Sequence, residues 1–136
     1  MDIQNFVNFR GVEEFPGWQK MRQFIEELIE QHDLKNILEV GAGANPCLEA
    51  SVVMDRSLKY TISDVDISEI GKADGIYKKI ILDLCEKDCT YETFFDIIFS
   101  RMAAEHFYSG KNFHKNVCKI LKPGGISVHC FSTLYS

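Results

Sequence analysis

Five short apolar runs recur along the chain with helical or irregular stretches between them, and this alternation limits the fold more than any other feature. They span residues 37–40, 60–63, 79–84, 95–100 and 126–131, reading ILEV, YTIS, KIILDL, FDIIFS and ISVHCF. Runs this short, rich in Ile, Val and Phe, read as strands buried on both faces. Before the first run, after a turn at Phe15-Pro16-Gly17, Trp18, Met21, Phe24, Ile25, Leu28 and Ile29 fall near helical spacing with polar residues between. That is an amphipathic helix, fading through Gln31-His32-Asp33. Phe113, Val117, Ile120 and Leu121 mark a second helix, stopped by Lys122-Pro123-Gly124-Gly125. Residues 68–73 allow one or two helical turns; 44–55 is ambiguous, with Pro46 suited to a first helical position. Strands alternating with helices predict an α/β fold, a doubly wound and mainly parallel sheet of about five strands. Such sheets bind ligands beyond the carboxyl ends of their strands.

The 136 residues suffice for one core. Residues 1–35 form an N-terminal segment with its helix, and 36–136 the core of the same single domain. A net charge of −5 and a pI near 5.3 count against nucleic-acid phosphates as the main partner. No apolar run reaches the roughly 20 residues of a membrane helix. The start lacks the basic and apolar regions of a secretory signal. The cysteines, 47, 85, 89, 118 and 130, are odd in number and irregular in spacing. Reduced thiols in a cytoplasmic protein are the reading, and no metal is implied.

The informative residues stand just after the strands. After the first comes Gly41-Ala42-Gly43-Ala44-Asn45-Pro46. Glycine permits positive φ and lets a ligand approach the backbone. A dinucleotide fingerprint would carry a third glycine where Pro46 stands, so a pyrophosphate site and a nicotinamide oxidoreductase are disfavoured. Glu39, just before the loop, would repel a phosphate and attract an ammonium group. Asp64 and Asp66, after the second strand, can accept from a ribose diol. Asp83 can accept from an exocyclic amine while Leu84 covers one face of a flat base. These acids describe a nucleoside with a cationic amino-acid tail and no phosphate, the parts of S-adenosylmethionine.

The order of motifs resembles that of class I S-adenosylmethionine-dependent methyltransferases. ILEVGAG is similar to their glycine-rich first motif, ISDVDIS to the acidic end of their second strand, and ILDL to the third. FDIIFSRMAAEHF is similar to the fourth-strand motif, and ILKPGGISVHCF to the helix, turn and fifth strand. The resemblance implies transfer of a methyl group from S-adenosylmethionine to an acceptor the sequence does not identify. It places Glu39 near the methionine amino group, with Gly41, Ala42 and Gly43 against the cofactor. Asp64 or Asp66 would hold the ribose, Asp64 being preferred because it directly ends its strand. Asp83 and Leu84 would meet the adenine, and Ser100, Arg101 and Met102 the methionine end. Phe15 or Trp18 could touch the cofactor from the preceding helix.

Other readings stay open. The glycines could make only a tight turn, and the acids could cap helices. Glu105 and His106 are candidates for general acid or base, although methyl transfer needs little beyond alignment and a deprotonated nucleophile. His114 and His129 read as packing residues. A different class of function is a non-catalytic methyltransferase-like domain that binds a cofactor or a partner protein. The resemblance also implies two further C-terminal strands that this sequence lacks. The fifth strand would then be a sheet edge, open to self-association, and a truncated form would bind cofactor without turning over.

Overall fold

A computed structural model of the chain describes residues 20–132. The turn at Phe15-Pro16-Gly17, and Trp18 at the start of the first predicted helix, lie outside the described residues. Helix α1 (Met21–His32) buries Met21, Ile25 and Ile29, spaced four apart along one face, and ends at Asp33 in the left-handed conformation.

The strands are β1 (Asn36–Val40), β2 (Lys59–Asp64), β3 (Lys78–Ile81), β4 (Phe95–Arg101) and β5 (Leu121–Cys130). They form one parallel sheet in the order β3-β2-β1-β4-β5. Val40 stands opposite both Ser63 and Ser100, so the three central strands end at one level. Side chains alternate between two cores. Ile37, Ile62, Ile97 and Phe99 pack with α1 on one face. Leu38, Val40 and Ile98 pack on the other with Phe113, Val117 and Ile120 of α4 (Gly110–Ile120). A sheet buried on both sides explains why its strands read as continuous apolar runs rather than alternating ones.

Three boundaries differ from the sequence reading, each for a local reason. Residues 44–49 form a loop containing Pro46, and only α2 (Ala50–Asp55) is helical. β3 stops at Ile81 rather than running to Leu84, because Asp83 accepts the Cys85 N–H through its own side chain and turns the chain away. Leu121 is not the end of α4 but the start of β5, paired with Phe95. The pairing then resumes at Ile97 with Ile126, so residues 122–125 form an outward irregularity, with Gly124 at φ 78. α3 (Ile67–Gly71) is a single short helix. β5 pairs with β4 alone among the described residues, so it stands at the sheet edge as expected.

Candidate functional site

The glycine loop and the residue after it are anchored at Ala42, Gly43, Asn45 and Cys47. Gly41 and Gly43 have φ of 70 and 56, which glycine alone adopts without strain. Ala42 N–H donates to Ser63 O at 3.0 Å, and Gly43 N–H to Asp64 Oδ2 at 2.9 Å. Arg101 donates to Asn45 O at 3.0 Å, and Arg22 Nε to Cys47 O at 2.7 Å. Cys47 N–H donates to Glu39 Oε2 at 2.9 Å, and the Tyr60 hydroxyl donates to the same oxygen. Glu39 is only 1 % exposed. Burial pushes its carboxyl upward in pKa, against smaller opposing effects of the Tyr60 and Cys47 bonds and of Arg101 and Arg22.

At the carboxyl end of the sheet lies a cleft of about 230 Å³. Gly41, Asp64, Asp83, Leu84 and His106 of the expected residues line it, and so does Met102. Glu39, Ala42, Gly43, Asp66, Ser100, Arg101 and Glu105 do not. Glu39 faces the α1 side of β1 with Ile37, two residues from Ile37 on the same strand face. Gly43 and Arg101 shape the loop from behind. Asp66 is the N-cap of α3; the Ser68 hydroxyl and the Glu69 and Ser68 N–H groups donate to it, and these bonds lower its pKa. That is the capping role the sequence left open for the acids.

Asp64 takes Gly43 N–H on Oδ2 and Asp66 N–H on Oδ1. An ionised carboxylate has about four acceptor sites, so two remain for a diol. Asp83 takes Cys85 N–H at 2.8 Å and the Tyr108 hydroxyl at 2.7 Å. That bond pushes the Tyr108 phenol up to about 12. Leu82, Leu84, Phe107 and Phe113 make apolar walls around Asp83. Sequence reading assigned no role to Phe107 or Tyr108, although the pair stands directly after the quoted Glu105-His106. Met102 lines the same cleft at φ 54, a conformation unusual for a side chain of its size.

Ser100 is fully buried, and its hydroxyl pairs with His129 Nδ1 at 2.7 Å. Ser127 Oγ lies 2.7 Å from the other ring nitrogen. Burial, with a smaller effect of His114, pushes the His129 imidazole down to about 4 from an ordinary 6.5. The folded chain thus keeps His129 neutral where the unfolded chain protonates it. The stability this gives is complete above pH 6.5 and is lost as pH falls toward 4. His129→Phe should lose less stability than the parent across that interval, by about 2 kcal/mol after discounting for partial exposure. Denaturant unfolding at both ends of the interval checks this; equal losses would contradict it.

A parallel doubly wound sheet with a glycine turn and strand-end acids around one cleft defines a Rossmann-like class of fold. The family described as "Methyltransferase domain" matches residues 38–129, and the chain belongs to that family. No curated protein matches the chain by sequence at a significant level. Among solved structures, an S-adenosylmethionine-dependent methyltransferase from Clostridium acetobutylicum is similar with a TM-score of 0.66 and 16 % identity, over 98 % of this chain and 54 % of that one. A TehB-like SAM-dependent methyltransferase from Corynebacterium glutamicum is similar with a TM-score of 0.59 and 20 % identity, over 81 % and 68 %. A phosphoethanolamine N-methyltransferase from Haemonchus contortus, in complex with S-adenosyl-L-methionine, is similar at 0.56 and 20 %, over 79 % and 27 %. At these identities the likeness is one of fold. The chain spans about half to two thirds of the length of the first two.

Proposed function

We propose that the cleft holds S-adenosylmethionine and that the protein is a methyltransferase acting on an acceptor still to be identified. The observation that carries this is the meeting in one cleft of Gly41, Asp64 and the Asp83-Leu84 pair, from the ends of three neighbouring parallel strands. The residues present fit the group. Apolar side chains suit a flat base, Asp83 offers an acceptor to an amine, and Asp64 keeps acceptor sites for a ribose diol. The Haemonchus contortus neighbour, whose complex contains S-adenosyl-L-methionine, supports the same choice. When bound, that cofactor supplies a methyl group on a sulfonium for direct displacement. The chain's own contribution is to fix the cofactor's orientation through a loop whose backbone is already anchored, so little order has to be created on binding. His106, on the cleft wall, is the candidate for taking a proton from an acceptor. Five cysteines without a disulfide suit a cytoplasmic setting, and no described helix is long and apolar enough to cross a membrane.

Conversion of S-adenosylmethionine to S-adenosylhomocysteine that rises when candidate acceptors are added is the direct test. A chain that binds the cofactor but never converts it, with any acceptor, would favour a non-catalytic role.

The two competing acids give a sharper expectation. Asp64→Ala removes both a ribose partner and the anchor of Gly43, and charge-assisted bonds contribute about 1.5–3 kcal/mol each. Affinity for S-adenosylhomocysteine should fall by more than about tenfold. Asp66→Ala should leave affinity near the parent's and lower stability modestly through the lost cap of α3. Titration and denaturant unfolding of both variants check the split, and the reverse ranking of affinities would move the ribose to Asp66.

A further inference from the structure

Residues 82–94 run between β3 and β4 with no helix or strand of their own. Backbone groups in such a stretch need partners from elsewhere. One stripe of α4 supplies them. Asn112, Lys115, Asn116 and Lys119, spaced i, i+3, i+4, i+7, all point at this segment. Asn112 donates to Cys85 O at 2.9 Å, Lys115 pairs with Asp88 at 3.0 Å, and Lys119 donates to Cys89 O at 2.8 Å. Asn116 is fully buried and makes three bonds. Its amide nitrogen donates to Leu84 O at 2.9 Å and Glu86 O at 2.8 Å, and its oxygen accepts Cys89 N–H at 3.1 Å. Two carbonyls on one side and an N–H on the other fix which way the amide faces.

The start of this segment is cleft wall. Asp83, Leu84 and Cys85 all line it, and Asp83 is also held by the hydroxyl of Tyr108, another lining residue. We propose that Asn116, with Asn112 assisting, is a positioning residue for base recognition: it holds the Leu84 and Cys85 backbone so that the Asp83 carboxylate stands where it discriminates an exocyclic amine from a carbonyl. The proposal rests on the nucleoside reading of the cleft. A purely structural Asn116 would affect every ligand alike; a positioning Asn116 changes which base is preferred.

The test compares S-adenosylhomocysteine with S-inosylhomocysteine, which carries a carbonyl oxygen in place of the amine, by calorimetry on the whole chain. The parent should prefer the adenine ligand by at least about tenfold, because a carboxylate accepts from the amine and repels the oxygen. Asn116→Ala should bring the two affinities within about threefold of each other, and Asn112→Ala, which removes one bond and is milder on folding, should narrow the gap part of the way. A preference that stays at the parent's value in the folded variants overturns the proposal, even if both affinities fall. Amide hydrogen exchange without ligand separates the two ideas. If the parent binds neither nucleoside, the cofactor reading fails. Asn116→Ala should also speed exchange at residues 84–89 by about tenfold or more over the parent, relative to the sheet; unchanged exchange would show that Asn116 does not hold this segment and would overturn the proposal whichever ligand binds.

Discussion

Gly41→Ala should reduce affinity for S-adenosylhomocysteine by about a hundredfold or more. Two effects combine at this position. Its φ of 70 costs an L side chain roughly 1–2 kcal/mol. A Cβ built there would also stand 2.5 Å from Ala103 Cβ, far inside contact distance. Neither atom belongs to a flexible chain end, so the backbone itself must shift. That shift falls on the cleft, which both Gly41 and Ala103 line. Gly43 is a useful contrast. Its φ of 56 carries the same conformational strain, yet a Cβ there would meet only Asp64 Oδ2, at an ordinary 3.8 Å. Gly43→Ala should therefore cost about tenfold or less. Ala103→Gly combined with Gly41→Ala should recover part of the loss, since the next atom of Ala103 is 3.9 Å away. Titration of the three variants checks the order. Equal losses at Gly41 and Gly43, or no recovery in the double variant, would mean that the Ala103 contact does not decide the loop's shape.

Glu39→Ala should be the most destabilising of the site substitutions. It leaves the buried Tyr60 hydroxyl and the Cys47 N–H without their acceptor. Each unsatisfied buried group costs about 1–3 kcal/mol, so for the two together a loss on the order of 2–6 kcal/mol is expected in denaturant unfolding. A loss within about 0.5 kcal/mol of zero would show that the network contributes little. Glu39→Gln separates two roles for the same residue. A carboxylate that contacts a ligand's ammonium group would, on becoming an amide, weaken S-adenosylhomocysteine while sparing 5′-methylthioadenosine, which has no amino-acid tail. A carboxylate that anchors residues 46–48 from beneath would affect both ligands by similar factors. The buried geometry predicts the second pattern. Selective weakening of the tailed ligand would restore the direct contact that the resemblance implies.

Much of this arrangement was legible in the sequence because the sheet is buried on both faces. ILEV, YTIS and FDIIFS are mostly apolar and lack the strict alternation of a half-exposed strand, and that pattern is visible without any knowledge of neighbours. The order of the glycine turn and of Asp64 and Asp83 followed, since a parallel sheet delivers its strand ends to one side. What stayed hidden depends on partners distant in sequence. Glu39 reads as a strand-end acid aimed at a ligand until Tyr60, across the sheet, is seen to claim it. The end of β3 was misjudged because Leu82 and Leu84 continue the apolar pattern, while the bond from Cys85 N–H to the Asp83 side chain ends the strand. Asn112 and Asn116 read as ordinary polar positions on a helix. Only the irregular run of residues 82–94 packed against them gives those amides a purpose. Phe107 and Tyr108 were missed for a similar reason: a short helical turn at Ala104–His106 brings them over Asp83, and nothing in local spacing foretells it.

The central claim is that a nucleoside with an amino-acid tail and no phosphate binds where Gly41, Asp64 and Asp83 meet. Calorimetric titration of S-adenosylhomocysteine into the parent and into Asp83→Ala, with NADH as the competing ligand, tests it most directly. Saturable one-to-one binding by the parent is predicted, weakened by at least about tenfold in Asp83→Ala, with no heat from NADH. A parent that takes NADH and not S-adenosylhomocysteine, or an Asp83→Ala variant that binds as tightly as the parent, would contradict it.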